Sequence, residues 1–358
     1  MACAWEAARR GLRPCVLDAG GPGAWQVAAG MLAPVAESDF GESALTALGI
    51  RAASGFEAFC AALAEASGED PGFRTTGTLI VARDADDAAV LERLLAFRRS
   101  AGLPVERLRP SQARRAEPAL APTVRLALDV PGDHSADPRR LVAALTTAVE
   151  RAGGEVRHGA RVVEVLTEDE RVKGVRLADG GELRVAKVVL AAGAWSGQVV
   201  VPDPVPVRPV KGQIMRLHDP RGPGLIDRTI RTPQGGYIVA RGDGRYVLGA
   251  TVEERGFDTA PTAGGVFELV RDLSEVIPGV LELELDELAA GLRPGSPDNV
   301  PSIGPGALDG LVWATGHYRN GILLCHLTAQ LVADALTGED LPEWAAACDP
   351  RRFTKVIA

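Results

Sequence analysis

An α/β chain built as two interleaved domains is what the sequence predicts, and three stretches carry that prediction. The first lies at the amino end. Ala2 to Arg10 is Ala-rich, with Trp5 and Ala8 on one side and Glu6, Arg9 and Arg10 mostly on another, so it reads as a helix that Gly11 stops. Pro14-Cys15-Val16-Leu17 then reads as a short buried strand ending in Asp18. The second stretch lies near the carboxyl end. The apolar run Leu311-Val312-Trp313-Ala314 meets Gly316, and an amphipathic segment continues to Leu336, which reads as strand, glycine turn, helix. The third lies between them. Val210 to Leu217, Gly236 to Ala240 and Arg245 to Ala250 read as strands of an antiparallel sheet, the last two joined by Arg241-Gly242-Asp243-Gly244.

Helix, glycine, apolar strand and terminal acid form the second half of a βαβ dinucleotide-binding unit, where the acid takes the ribose hydroxyls. The first half, a strand and a G-x-G-x-x-G turn, belongs roughly 20 residues before that acid. Counted back from Asp18, the last glycine of the turn falls just ahead of Met1. The expected domain is therefore Rossmann-like, without its first strand and Gly-rich loop, and the chain start reads as a misread initiation site. Dinucleotide-type pieces at the start, middle and end alternate with sheet pieces. That divides the chain into residues 1–76, 135–207 and 290–358 for one domain and 77–134 and 208–289 for the other.

Composition narrows the function. At 358 residues, a large core is available. A net charge of −8 argues against nucleic-acid binding, which wants a basic face. No run of about 18 apolar residues is present, so no membrane span is expected, and the amino-terminal helix with two arginines does not read as a signal peptide. Cys3, Cys15, Cys60, Cys325 and Cys348 are odd in number and widely spaced, which suits reduced thiols in a cytoplasm and no metal site.

The remaining elements follow in order. Trp25 to Pro34 is a small-residue loop, Ser43 to Ser67 a helix and Gly77 to Ala82 a strand. Asp84 caps a helix to Ser100, and Pro110 to Pro118 is a short helical turn. Asp137 is the expected N-cap, with Pro138 at the first position, of a helix to about Ala152. Glu155 to Val165 reads as one strand, and Val172 to Leu177 with Glu182 to Val185 as a hairpin across Asp179-Gly180. Val188 to Ala191 is a buried strand, Thr262 to Val276 a helix, and Glu282 to Gly291 a strand. Arg293 and Arg319 each fall in a Gly/Pro-punctuated turn, and two guanidiniums would suit a carboxylate, which Arg grips bidentately.

Five segments in order carry a resemblance. They are Val27-Ala28-Ala29-Gly30-Met31-Leu32-Ala33-Pro34, Val207-Arg208-Pro209-Val210-Lys211-Gly212-Gln213, and Tyr246-Val247-Leu248-Gly249-Ala250-Thr251-Val252-Glu253. The last two are Gly291-Leu292-Arg293-Pro294-Gly295 and Gly316-His317-Tyr318-Arg319-Asn320-Gly321-Ile322-Leu323-Leu324. Together they resemble the FAD-dependent D-amino-acid oxidase superfamily, most of all the glycine oxidases of thiamine biosynthesis. Trp25-Gln26 departs from the Ser/Thr-type pair expected there.

The resemblance implies FAD as cofactor. Asp18 and Ala19 would contact its ribose, and Ala29, Gly30 and Met31 would line the flavin. Val162 would lie on the adenine side and Gly193 at the cofactor edge. His317, Tyr318, Arg319, Asn320, Gly321, Ile322 and Leu323 would wrap the pyrimidine end, at a helix start. Tyr237 and Arg293 would hold the substrate carboxylate, with Arg319 beside them and Val252 at the pocket wall. The implied reaction converts a small amine such as glycine, with oxygen, to an oxoacid, ammonia and hydrogen peroxide, and would supply thiamine thiazole assembly. The family suggests a homo-oligomer. Two alternatives stand beside it: a D-amino-acid or sarcosine oxidase or dehydrogenase, and a non-catalytic fragment unable to hold FAD. Lys211 is either structural or near the flavin, and Cys325 a packed helix thiol in preference to a covalent flavin link.

Overall fold

The computed structural model describes residues 1–356 except Pro22. Its main feature is an eight-stranded sheet. Across it run Glu284–Gly295, Arg208–His218, Arg245–Gly249, Tyr237–Ala240, Thr229–Arg231, Thr78–Ala82, Leu126–Val130 and Glu106–Leu108. Neighbours are antiparallel except Thr229–Arg231 and Thr78–Ala82, which pair in parallel. Residues alternate across a strand, so each face has its own set. Leu248, Ile238, Ile230 and Leu79 pack beneath the helix Ala263–Ser274. Ile214, Val247 and Val239 meet Ala29 on the other face.

The second body is layered. The helix Ala2–Arg9 packs against Cys325–Thr337 and against Pro138–Arg151, with Trp5, Leu141, Val149 and Val332 in a common core. Cys15–Asp18 pairs in parallel with Glu155–His158. Val188–Leu190 pairs in parallel with Leu311–Thr315, which Ser302–Pro305 joins antiparallel. Among the described residues, Cys15–Asp18 and Val188–Leu190 each have a hydrogen-bonded strand on one side only. This mixed architecture is the α/β class expected.

Local signals explain the boundaries. Asp84 accepts a hydrogen bond from the amide of Asp87, and Asp137 from that of Arg139, so both expected caps are made. The Asp179-Gly180 hairpin joins Arg171–Leu177 to Glu182–Arg184. The helix Ser43–Ser67 is long and apolar enough, by length and composition, to cross a membrane. Leu48, Ala52, Phe56, Cys60 and Leu63 bury one face of it in the core, as in a helix folded against protein. All five cysteines are free.

Three expectations need correction. Glu155 to Val165 is two strands, Glu155–His158 and Val162–Glu168, in different sheets; Gly159, at φ 74°, turns the chain between them. Arg293 is not in a turn. Its strand continues to Gly295, because Arg208 and Val210 go on pairing with Gly295 and Arg293 beyond Gly291. The carboxyl-terminal helix begins at Cys325 and not at His317. Tyr318, at φ 47°, breaks helical geometry, and Asn320 and Leu324 close turns onto the carbonyls of His317 and Asn320 first.

Candidate active site

The site is built on the sheet face that meets the Val27–Met31 loop. Glycines make the room. The guanidinium of Arg293 lies across Gly212, where a Cβ would overlap its nitrogens. The Tyr237 ring lies across Gly249, whose Cβ would stand 2.6 Å from the hydroxyl. Val27 sits where a Cβ on Gly291 would go. Gly212 pairs with Gly291, and Tyr237 with Gly249, so Arg293, Tyr237 and Val27 share one face. Arg293 Nη1 donates to the carbonyls of Thr251 (3.1 Å) and Lys211 (3.3 Å), which orients a half-buried guanidinium and leaves other donors for a ligand. Burial pushes the Tyr237 phenol up, with Arg293 acting against that shift, so the phenol keeps its proton and can donate it in a hydrogen bond.

Three arginines pin the loop over this face. Arg241, its side chain buried, donates from Nη2 to the Ala29 carbonyl (2.8 Å), and Arg139 and Arg216 both reach the Gln26 carbonyl. Gly30, at φ 77°, packs so closely on the Ala136 carbonyl that a Cβ would collide with it. Ala29 is buried against Ile214, Val239 and Val247, while Met31 is half-buried between that cluster and the one formed by Ile80, Leu126 and Leu128.

The other residues singled out from the sequence lie as follows. Asp18 ends its strand half-exposed, accepting from the Gly20 amide and lying 3.3 Å from His158 Nδ1; Ala19 is exposed beside it. Val162 is half-buried at the start of its strand. Gly193 has open space where a Cβ would point. His317 bridges to Gly295 and lies 2.9 Å from Thr328 Oγ1; burial lowers its pKa to about 4, so the ring is neutral. The Tyr318 amide donates to the Pro294 carbonyl, which ties the 317–323 turn to the Arg293 strand. Asn320 and Ile322 are half-buried, Gly321 is exposed, and Leu323 points into the helical core. Arg319 is exposed, its guanidinium over the Tyr318 ring at 5.3 Å, and no hydrogen bond joins it to Tyr237 or Arg293. Val252 is exposed.

Lys211 resolves to its structural alternative. It lies one residue out of phase with Gly212, so its side chain leaves the opposite face, buried, with Nζ 2.9 Å from Asp258 and 2.6 Å from the Ala260 carbonyl. Cys325 packs at the edge of the helical core, where burial raises its thiol pKa.

The structure adds one residue that no motif in the sequence marks. Arg231 is the cross-strand partner of Tyr237, buried on the same face, and lies 3.3 Å from Glu37. The signal was there: Thr229-Ile230-Arg231 and Tyr237-Ile238 flank Pro233-Gln234-Gly235-Gly236, a hairpin pattern that sets Arg231 opposite Tyr237.

Comparison with known proteins agrees with this geometry. The chain matches the family described as FAD dependent oxidoreductase over residues 1–335. It is 33% identical over 340 residues to the glycine oxidase of Geobacillus kaustophilus, covering 93% of this chain and 89% of that protein. A crystal structure of glycine oxidase from that organism superposes with a TM-score of 0.91, covering 98% of this chain and 95% of the other at 31% identity. Hydrogen cyanide synthase subunit HcnC of Pseudomonas aeruginosa is 34% identical over 284 residues, 78% of this chain and 67% of that subunit. The bifunctional protein ThiO/ThiG of Synechocystis is 36% identical over 226 residues, 62% of this chain, and the match spans only 34% of that longer protein. By sequence and by fold, the chain belongs to the family of FAD dependent oxidoreductases.

Proposed function

We propose that the protein oxidatively deaminates glycine or a closely related small amino acid, using FAD, and that the product supplies thiamine thiazole assembly. The observation that carries this is the convergence of Arg293 and Tyr237 on one sheet face, in space cleared by Gly212 and Gly249 beneath the Ala29–Met31 loop. A guanidinium and a protonated phenol, both with free hydrogen-bonding capacity, suit a carboxylate.

The residues fit FAD at three places. Asp18 presents a half-exposed carboxylate at the carboxyl end of its strand for the ribose. The first turn of Ala2–Arg9 has no side-chain cap, the polarity that suits a pyrophosphate. The Ala29–Met31 loop and the 317–323 turn would border the ring. FAD supplies the acceptor for the hydride of a substrate α-C–H bond, with oxygen as final oxidant and hydrogen peroxide as product. The protein's own part is to hold the carboxylate at Arg293 and Tyr237, keep water from the reacting carbon with Val27 and Ala29, and keep His317 neutral. This reading keeps residues 1–76, 135–207 and 290–358 as the cofactor domain and 77–134 and 208–289 as the substrate domain. It also places an enzyme with five unpaired cysteines in the cytoplasm.

The visible spectrum tests it. The purified protein incubated with FAD should show a flavin band that anaerobic glycine bleaches and air restores. Bound flavin that neither glycine nor sarcosine bleaches would overturn the proposal.

A further inference from the structure

We propose that Arg231 is a second anion-binding group of the pocket, and that the preferred substrate is an amino or imino acid carrying a second carboxylate. This deepens the amine-oxidase reading and rests on it for the reaction, though not for the binding.

Arg231 is 8% exposed as a residue and 10% exposed in its side chain, which has five N–H donors. Among the described residues it makes no hydrogen bond. Its Nη1 is buried and bondless, with a Glu37 oxygen at 3.3 Å but outside hydrogen-bonding geometry. Other buried arginines here each donate hydrogen bonds, although Nη1 of Arg98 and Nε of Arg241 are bondless too. Arg98 donates to the carbonyls of Ala36 and Ser38, and Arg241 to those of Ala29 and Ala136. A guanidinium serving only the fold would be bonded in the same way, because buried donors without acceptors are costly.

Its position makes it useful. Arg231 faces Tyr237 across the strand pair, while the Tyr237 ring leans the other way, over Gly249. Arg231 and Arg293 therefore flank Tyr237 from opposite sides of one sheet face. Four strand spacings of about 4.8 Å separate their strands, and Arg293 already reaches across one of them, over Gly212. One carboxylate, Glu37, can satisfy at most two of the five donors. A short diacid would put one carboxylate on Arg293 and Tyr237 and the other on Arg231. With iminodiacetate as the model, one α-C–H and the N–H are lost, water adds to the C=N bond, and oxygen accepts both electrons. Iminodiacetate, water and oxygen thus give glycine, glyoxylate and hydrogen peroxide.

Calorimetric titration of the FAD-loaded protein with acetate, malonate, succinate and glutarate tests the binding. The best diacid should bind at least ten-fold more tightly than acetate. Arg231→Gln should reduce that advantage below three-fold, and Arg231→Lys should keep part of it. Circular dichroism would show that both variants are folded. No diacid advantage in the parent, or an undiminished one in folded Arg231→Gln, overturns the assignment. Turnover is read separately, as the KM of sarcosine against that of iminodiacetate. A ratio above ten that falls in Arg231→Gln supports the substrate class, and a ratio near one with sarcosine oxidised normally overturns it. Diacid binding without any amine turnover would keep Arg231 as an anion site and overturn the oxidase reading instead.

Discussion

In the proposed site Arg293 would act through a few charge-assisted hydrogen bonds, and its loss should be read in binding. Arg293→Ala should weaken substrate binding by roughly 1.5–3 kcal/mol, the usual worth of hydrogen bonds to a charged group. That is a KM raised about 10- to 150-fold, and steady-state kinetics showing no rise would remove Arg293 from the carboxylate site. Asp133 makes a separate prediction about pH. It is buried, accepts from the amides of Val35 and Ala36, and burial raises its pKa to about 7. Between about pH 4 and 7 the folded protein keeps this proton and the unfolded chain does not, so this group makes stability fall as pH rises. His317 acts oppositely. With its pKa lowered to about 4, it makes stability fall as pH drops from about 6.5 towards 4. Denaturant melts from pH 4 to 7 should therefore give Asp133→Asn a difference from the parent that shifts in the variant's favour as pH rises, by up to roughly 4 kcal/mol. A difference constant with pH would mean that Asp133 is ionised throughout.

At the scale of elements, three glycines on adjacent strands do what no side chain could. Gly212, Gly249 and Gly291 lower the sheet surface so that Arg293, Tyr237 and Val27 lie across it. Gly212→Ala places a methyl where the Arg293 guanidinium rests. It should raise KM at least as far as the lower end expected for Arg293→Ala, with flavin still bound; unchanged kinetics would mean that the guanidinium has another resting place. Helix ends are simpler. Asp84→Ala removes the cap on the Asp87 amide and should cost about 1 kcal/mol, visible as a lower thermal midpoint with unchanged kinetics.

At the scale of the whole molecule, arginines tie its two bodies together. Arg139 and Arg216 bind Glu287 of the sheet and the Gln26 carbonyl of the loop, so loop and sheet move together. A ligand held along Asp18, the loop and the 317–323 turn would stabilise both bodies at once. FAD at 100 times its Kd should add about 2.7 kcal/mol to stability, and the thermal midpoint should climb with FAD concentration. A midpoint indifferent to FAD would mean that the folded chain does not hold it.

Local interactions were legible in the sequence because they are made within a few residues. The Asp137-Pro138 helix start, the Asp179-Gly180 hairpin and the short strand to Asp18 depend on capping, turn geometry and apolar runs. The motif around Arg293 was legible too, and the family resemblance pointed to Tyr237, but both as types of residue and not as an arrangement. The tertiary structure decided which face each one leaves. A strand has a period of two, so a single residue of register separates Gly212, which makes room in the pocket, from Lys211, which is buried behind it against Asp258. The same pairing carried the Arg293 strand on to Gly295 and set Arg231 opposite Tyr237. Register between strands comes from packing of the whole sheet against its loop and helix, and no short stretch of sequence contains that information.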